Sequence, residues 1–345
     1  MEQLIRAAKE HNASDLHLVY GLPPMLRIDG SLTALEGAAP LTDAQCYACA
    51  SALYGGGELP ETGELDFALT LADTRLRVNV FHSQGHFSSA VRLLHSRIPE
   101  LSTLGLPPAV DSFPGLHRGI VLVTGETGSG KSTTLAALLQ KINTSRPAHI
   151  ITLEDPIEYQ YVPDRCVINQ REIGRDTGSY AQGLRAALRE DPDILLIGEM
   201  RDMDTIETAL TAAETGHLVF ATLHTNSAAD SIDRIVSVFP EGRQQQIRMQ
   251  LSMTLQAVVA QQLLPKIGGG RALAVELMMV TSAIKNLIRD GKTPQISSTI
   301  ATSMKDGSVS MDQSLMRLVQ GRKVTPEIAV SMAFDQPYLK KALMM

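Results

Sequence analysis

The sequence predicts an α/β protein: a half built on a buried parallel sheet, preceded by a smaller α+β domain and followed by a mainly helical portion. Beyond Gly119 the apolar residues come as short continuous runs, IVLV, HIITL, DILLIG and LVFATL, alternating with helix-like segments such as TTLAALLQKI, YAQGLRAALRE and MDTIETALTAAE. Runs of that kind are strands covered on both faces, which is how parallel sheets read. Before residue 98 the pattern is instead apolar/polar alternation, as in strands with one wet face. The 345 residues, 44% apolar and 20% charged, suffice for two such cores and do not have the composition of a disordered or fibrous chain.

In order along the chain, residues 1–98 form the N-terminal α+β domain. Leu4, Ile5 and Ala8 repeat at helical spacing, and SDLHLV and PMLRIDG read as strands, the second ending at Asp29-Gly30. Three alternating runs follow, LDFALTLA, RLRVNVF and FSSAVRLL, parted by Asp73-Thr74 and Gln84-Gly85-His86, the pattern of an antiparallel meander. Leu76, Val78 and Val80 share one face of the middle run, so Arg75 and Arg77 share the other. Prolines at 99, 107, 108 and 114 interrupt regular structure and mark 99–114 as the linker. Residues 115–265 then carry the parallel α/β core. After Pro240 the reading turns helical, through QQIRMQLSMTLQAVVAQQLL and SAIKNLIRD, so 266–345 is expected to be mainly helical.

Composition excludes several functions. Lys and Arg number 31 against 37 Asp and Glu, a net charge of −6, with 7 Tyr, 7 Phe and no Trp. A nucleic-acid groove needs a basic excess and stacking platforms, so no nucleic-acid partner is expected. Cys46 and Cys49 form a C-x-x-C, but Cys166 stands alone, and a four-ligand zinc site would have to borrow distant histidines, so no zinc is expected. Three cysteines make no disulfide framework and fit a reducing compartment. The N-terminus MEQLIRAAKEH lacks an apolar signal core, and no run approaches the ~18 residues of a membrane span. A cytoplasmic protein, peripheral at most to a membrane, is the expectation.

One motif carries chemistry. Gly125-Glu126-Thr127-Gly128-Ser129-Gly130-Lys131-Ser132 fits G-x-x-x-x-G-K-S/T directly between the strand IVLV and the helix TTLAALLQ, the context this loop requires. Glycines expose successive backbone N–H groups to phosphates, and the helix N-terminus adds its positive end. Lys131 then reaches the β- and γ-phosphates and Ser132 offers its hydroxyl to Mg²⁺. ATP with Mg²⁺ is therefore the expected cofactor, held by Gly125, Thr127, Gly128, Ser129, Gly130, Lys131, Ser132 and Thr133. Hydrolysis also needs carboxylates, which sit at the C-terminal ends of neighbouring parallel strands. DILLIGE places Glu199 in the position of a Walker-B acid, and HIITLEDPIEY supplies Glu154, Asp155 and Glu158. Each acid alone is equally compatible with a solvated strand end. HLVFATLHT ends a third strand with Thr222, His224 and Thr225, polar groups able to sense a γ-phosphate, although a lone histidine is more often a packed or surface residue.

With these motifs in their order, TGETGSGKSTT, ITLEDPIEY, LLIGEMRD and GHLVFATLHTNSAADSIDRI, the chain resembles the secretion ATPases of type II, type IV pilus and type IV secretion systems, matching their Walker A, Asp box, Walker B and His box. SDLHL with PMLRIDG, and the segment from Ala283 to Asp290, resemble the pilus-retraction branch of that family, so the likeness covers nearly the whole chain. The resemblance implies a hexameric ATPase motor whose subunits carry a PAS-like first domain and a RecA-like P-loop core, and which drives type IV pilus retraction through an inner-membrane platform protein, acting on the pilin fibre indirectly. It implies that Glu158 is the base for the attacking water, that Glu199 is the metal-side Walker-B acid beside Ser132, that His224 belongs to the site, and that Arg77 and Arg92 reach the nucleotide phosphates. It also makes the stripe of Ile284, Leu287 and Ile288 a candidate for coupling hydrolysis to retraction. The chain departs from the family pattern where Glu126 replaces a common Pro, and where Lys285 and Asp290 replace Arg and Glu.

Other readings fit less well. Pilus-extension or type II secretion motors usually carry a longer N-terminal region and a four-cysteine zinc insertion, neither found here. A non-hydrolysing assembly protein would show a damaged Walker-B or Asp-box acid, and both acids are intact. An accessory retraction paralogue has the same motifs and stays open. A DNA translocase is disfavoured by the net charge of −6.

Overall fold

The computed structural model describes residues 1–28, 30–94 and 97–344; Asp29, at which the sequence ends its second strand, lies outside the described residues. The chain divides into two compact units, Met1–Ile98 with Pro156–Gln160, and Pro99–Asp155 with Tyr161–Met345.

The first unit contains α1 (Glu2–Glu10), β1 (Asp15–Leu18), β2 (Met25–Ile28), β3 (Ser31–Ala34), α2 (Asp43–Leu53), β4 (Glu64–Leu71), β5 (Thr74–Ser83) and β6 (His86–Leu93). Its sheet is antiparallel throughout, in the order β3-β2-β1-β6-β5-β4. The meander forms because its turns suit tight hairpins: Ala72 and Asp73 both take positive φ, as do Gln84 and Gly85. Leu76, Val78 and Val80 are buried, together with Leu16 and Val91, against Ile5 and Ala8 of α1 and Cys46, Ala50 and Leu53 of α2. The sequence reading missed α2, whose alanines and cysteines give no clear stripe. A capping box between Thr42 and Gln45 starts it. Cys46 and Cys49 are free thiols on that helix, and burial pushes both up.

The proline-rich stretch expected as the linker falls in the second unit. It forms 3₁₀ turns at Leu101–Thr103 and Pro108–Gly115 that bury Leu101, Val110 and Phe113. Prolines stop α-helix and strand, but they pre-set the φ that a short turn needs. Then come β7 (Gly119–Thr124), α3 (Lys131–Ser145), β8 (His149–Glu154), β9 (Val167–Glu172), α4 (Tyr180–Ala187), β10 (Ile194–Ile197), α5 (Met203–Glu214), β11 (Leu218–Leu223), α6 (Ala228–Ser237), α7 (Glu241–Thr254), β12 (Leu255–Pro265), β13 (Arg271–Met279), α8 (Ser282–Arg289), α9 (Ile296–Thr302), α10 (Met311–Gln320), α11 (Pro326–Ser331) and α12 (Gln336–Ala342). The sheet order is β13-β12-β7-β11-β10-β8-β9. All neighbours are parallel except β12 and β13. The RecA-like α/β fold class therefore stands.

One expectation is corrected here. The helical reading of QQIRMQLSMTLQAVVAQQLL holds only as far as Thr254, after which the chain becomes β12 and, within the portion expected to be helical, β13. A continuous apolar run cannot distinguish a buried strand from a buried helix. Ile284 and Ile288 of α8 are core residues, 1% and 0% exposed, with Leu287 packed beside them, so the stripe faces inward. The sequence also passed over β9, an edge strand whose polar alternation resembles a loop. No helix among the described residues is long and apolar enough to cross a membrane.

Candidate functional site

The parallel sheet sets out the site. β7, β11, β10 and β8 lie side by side in that order, so the phosphate loop, the His224 turn, Glu199 and Glu154 all leave the same edge of the sheet at its carboxyl ends, where ligands bind in open α/β sheets. The chain order of these strands is different, and the juxtaposition is a product of the crossovers.

The loop starts at Gly125, whose N–H donates to the Leu223 carbonyl of β11 at 3.3 Å. Only glycine fits there: φ is 138°, and a Cβ would stand 2.4 Å from the Gln261 carbonyl oxygen and 2.6 Å from Ser129 Oγ. At the other end Gly130, with φ 95°, starts α3 without any side-chain cap, leaving the first-turn amides to a ligand. Lys131 Nζ donates to the carbonyls of Gly125 at 2.8 Å and Glu126 at 2.9 Å. The buried Ser129 hydroxyl within the loop has no hydrogen-bond partner. A cradle that excludes a Cβ, carries an unsatisfied buried hydroxyl and holds a lysine on its rim fits a nucleotide phosphate chain. Glu126, which the sequence marks as unusual, is exposed and accepts from Asn226 Nδ2 at 3.5 Å, tying the loop to the turn after β11.

Glu199 is the centre of the acid edge. Its side chain is 16% exposed, and its Oε1 meets His224 Nε2 at 3.3 Å and Arg201 Nε. Hydrogen bonding to Glu199 and its charge push the Arg201 guanidinium up, keeping it a firm cation. Thr222 of β11 donates to the Gly198 carbonyl, and Met200 N–H donates back to the Thr222 carbonyl, which fixes the Glu199 backbone to its neighbour strand. Glu154 is held by Thr152 Oγ1 at 2.6 Å and Gln170 Nε2 at 3.1 Å. Tyr180 comes close as well: a Cβ on Gly198 would lie 2.9 Å from its hydroxyl. Burial, then Asp155, Glu199 and Glu154, push its phenol far up, so it stays protonated. Arg201, Tyr180 and Asn226 were absent from the sequence reading. Arg201 and Asn226 each stand two residues after a named residue, Glu199 and His224, inside the quoted motifs, whereas nothing local marks Tyr180.

The remaining expected residues belong to the first unit. Arg27, Asp15, Arg92 and Arg77 occupy one cross-strand row over β2, β1, β6 and β5. Arg92 Nε donates to Asp15 at 2.8 Å and Arg77 Nη2 to Asp66 at 2.8 Å. Burial pushes the Asp15 carboxyl up, but hydrogen bonds from Ser14 and Arg92 and the Arg92 charge outweigh it and bring it below the ordinary value. The short stretch carrying Glu158 is pinned by buried Arg75, whose Nε donates to the Ile157 carbonyl at 3.0 Å, and by Thr70 to Gln160 at 3.3 Å. Arg75, named in the sequence only as sharing a face with Arg77, thus holds the backbone next to Glu158. Oxygen donors suited to Mg²⁺ are present in Ser132 and Glu199.

The family described as type II/IV secretion system protein matches residues 1–269. The chain belongs to that family. Among individual members it is 45% identical over 331 residues to the type IV pilus retraction ATPase PilT of Pseudomonas aeruginosa, covering 95% of this chain and 96% of that one. It is 48% identical over 268 residues to a twitching motility protein of Neisseria gonorrhoeae, covering 77% and 72%. It superimposes on the crystal structure of the pilus retraction motor PilT with bound ADP at a TM-score of 0.91, with 45% identity and 99% of both chains covered. The family's secretion ATPases thus include proteins that share the whole length of this chain, C-terminal helices included.

Proposed function

We propose that this chain is the ATP-hydrolysing motor of type IV pilus retraction. The observation that carries the reading is the convergence of the phosphate loop, Glu199 and the His224 turn on one edge of the parallel sheet. The likeness to PilT, named a pilus retraction ATPase, supplies the output.

Lys131 exchanges the loop carbonyls of Gly125 and Glu126 for phosphate oxygens when nucleotide enters, and the α3 amides complete the anion site. Ser132 and Glu199 would hold Mg²⁺, which when bound neutralises charge on the phosphates. Glu199 then exchanges its contact with Arg201 and His224 for the nucleotide side of the site. Glu158 orients and deprotonates the attacking water. Glu154, fastened by Thr152 and Gln170, positions its neighbours. Arg77 and Arg92 stabilise phosphate charge in the assembled ring. The ring is a homo-hexamer in the cytoplasm, peripheral to the inner face of the cytoplasmic membrane, where it turns a platform protein and so depolymerises pilin. Purified protein should hydrolyse ATP in the presence of Mg²⁺, and deletion of the gene should leave surface pili present and abundant but unable to retract. Normal retraction in the deletion strain with ATPase activity intact in vitro would assign the chain to an accessory role instead.

A further inference from the structure

Glu276 is a buried acid that none of these steps uses. It lies on β13, 2% exposed, in a sheet position otherwise suited to an apolar residue. Its Oε1 accepts from the Ala228 N–H at 2.8 Å, and the Met311 amide lies near enough to favour the ionised carboxyl. Ala228 and Met311 are the first residues of α6 and α10. One carboxylate therefore caps the open first amide of α6 and sits beside the first residue of α10, 83 residues further along the chain, near two positive helix ends.

What the two helices carry gives the contact its meaning. α6 begins directly after the turn of His224, Thr225, Asn226 and Ser227. That turn meets Glu199 through His224 and the phosphate loop through Asn226, and Thr225 is bound to Ser231 of α6 at 2.7 Å. α10 is fixed to β13 a second time, through Ser314 Oγ, which accepts from the Val275 N–H at 3.0 Å. It packs with α11 and α12 in a separate apolar cluster around Leu315, Val330 and Leu339. We propose that Glu276 is a positioning residue that locks the first turn of α6, and with it the His224–Asn226 turn, to α10, so that nucleotide binding and the C-terminal helices move as one.

The contact is sensitive to protonation. Burial pushes the Glu276 carboxyl up to about 7 against the lowering effect of its two amide donors, with Asp230 of α6 and Asp312 of α10 pushing further upward. On β12 the facing residue is Ala260, flanked on that side by Val258 and Gln262, none of them charged. Protonation relieves the cost of the buried charge but removes the charge that holds the helix-end amide, a loss that Glu276→Gln imitates.

This inference rests on the nucleotide-site reading, and the test separates the two. Glu276→Gln should lower kcat for ATP on the order of tenfold, as a small misplacement of site groups does, while KM moves much less. The parent should lose turnover as pH falls from 8 to 6, and the difference between parent and variant should vanish at the acid end. A variant with lower melting temperature but parental kcat and pH profile would make Glu276 a structural residue only and overturn the proposal. Amide exchange of the parent with and without ADP decides the matter even where the variant does not fold. Protection should rise together at the phosphate loop, the start of α6 and the start of α10. Protection at the loop and α6 without α10 overturns the lock. No protection at the phosphate loop overturns the nucleotide-site reading and this inference with it.

Discussion

Replacing Gly125 by alanine adds one methyl group where β7 passes into the phosphate loop. The new Cβ would stand 2.4 Å from a backbone oxygen of β12, that of Gln261, which no rotamer change can move aside, and the φ of 138° is one that L side chains rarely adopt. Strained backbone costs about 1–3 kcal/mol. Forcing an extra methyl into a packed site costs about another 1–3 kcal/mol, giving about 2–6 kcal/mol together. Gly128 is the internal control: φ is 83° but nothing lies within 4 Å of a Cβ there, so only the backbone remains. That alone costs about 1–2 kcal/mol. At about 2–4 °C per kcal/mol for a domain of this size, Gly125→Ala should lower Tm by roughly 4–24 °C and Gly128→Ala by roughly 2–8 °C. The assay is thermal unfolding with and without ADP. Gly125→Ala should also lose most of the Tm rise that ADP gives, because the loop amides shift with β12. If Gly125→Ala melts with or above Gly128→Ala, the close approach of loop and β12 is wrong.

Lys131→Ala and Glu199→Gln should abolish ATP turnover with circular dichroism and Tm near parental, since neither is a core residue; normal turnover in either variant sinks the site assignment. Glu158→Gln should bind nucleotide like the parent and hydrolyse it at least about a hundredfold more slowly, the lower end of the loss for a removed base, with binding measured by fluorescent nucleotide and turnover by phosphate release. Ile288→Ala, at a fully buried position, should cost about 2–5 kcal/mol and depress Tm, ATPase and retraction together; Leu287→Ala, only partly buried, is the variant able to separate retraction from hydrolysis. For Glu276 the sign follows from a carboxyl raised from 4.5 to about 7: the folded state keeps a proton that the unfolded chain has released, so its contribution to stability is full below pH 4.5 and lost as pH rises to 7. That shift is worth about 3 kcal/mol; denaturant titrations at several pH values should show this slope in the parent and not in Glu276→Gln.

The chemistry of the nucleotide loop is legible in the sequence because it is local. Glycines, Lys131 and Ser132 must follow one another on a strand-loop-helix, and the spacing says so without knowledge of the fold. The parallel core and the antiparallel meander are legible for a similar reason, since their apolar periods report how many faces each strand buries. The sequence stops where one apolar run serves two structures, as at Val258 and Val259, buried in β12 rather than in a longer α7, and as at Ile288, whose stripe faces the core. Only the tertiary structure decides which strand ends are neighbours. It sets β11 and the His224 turn beside β7, places Glu199 between His224 and Arg201, ties the backbone next to Glu158 to Arg75, and caps α6 with Glu276 of β13. Those contacts join residues tens of positions apart, and their energy comes from burial and geometry that no short window of sequence contains.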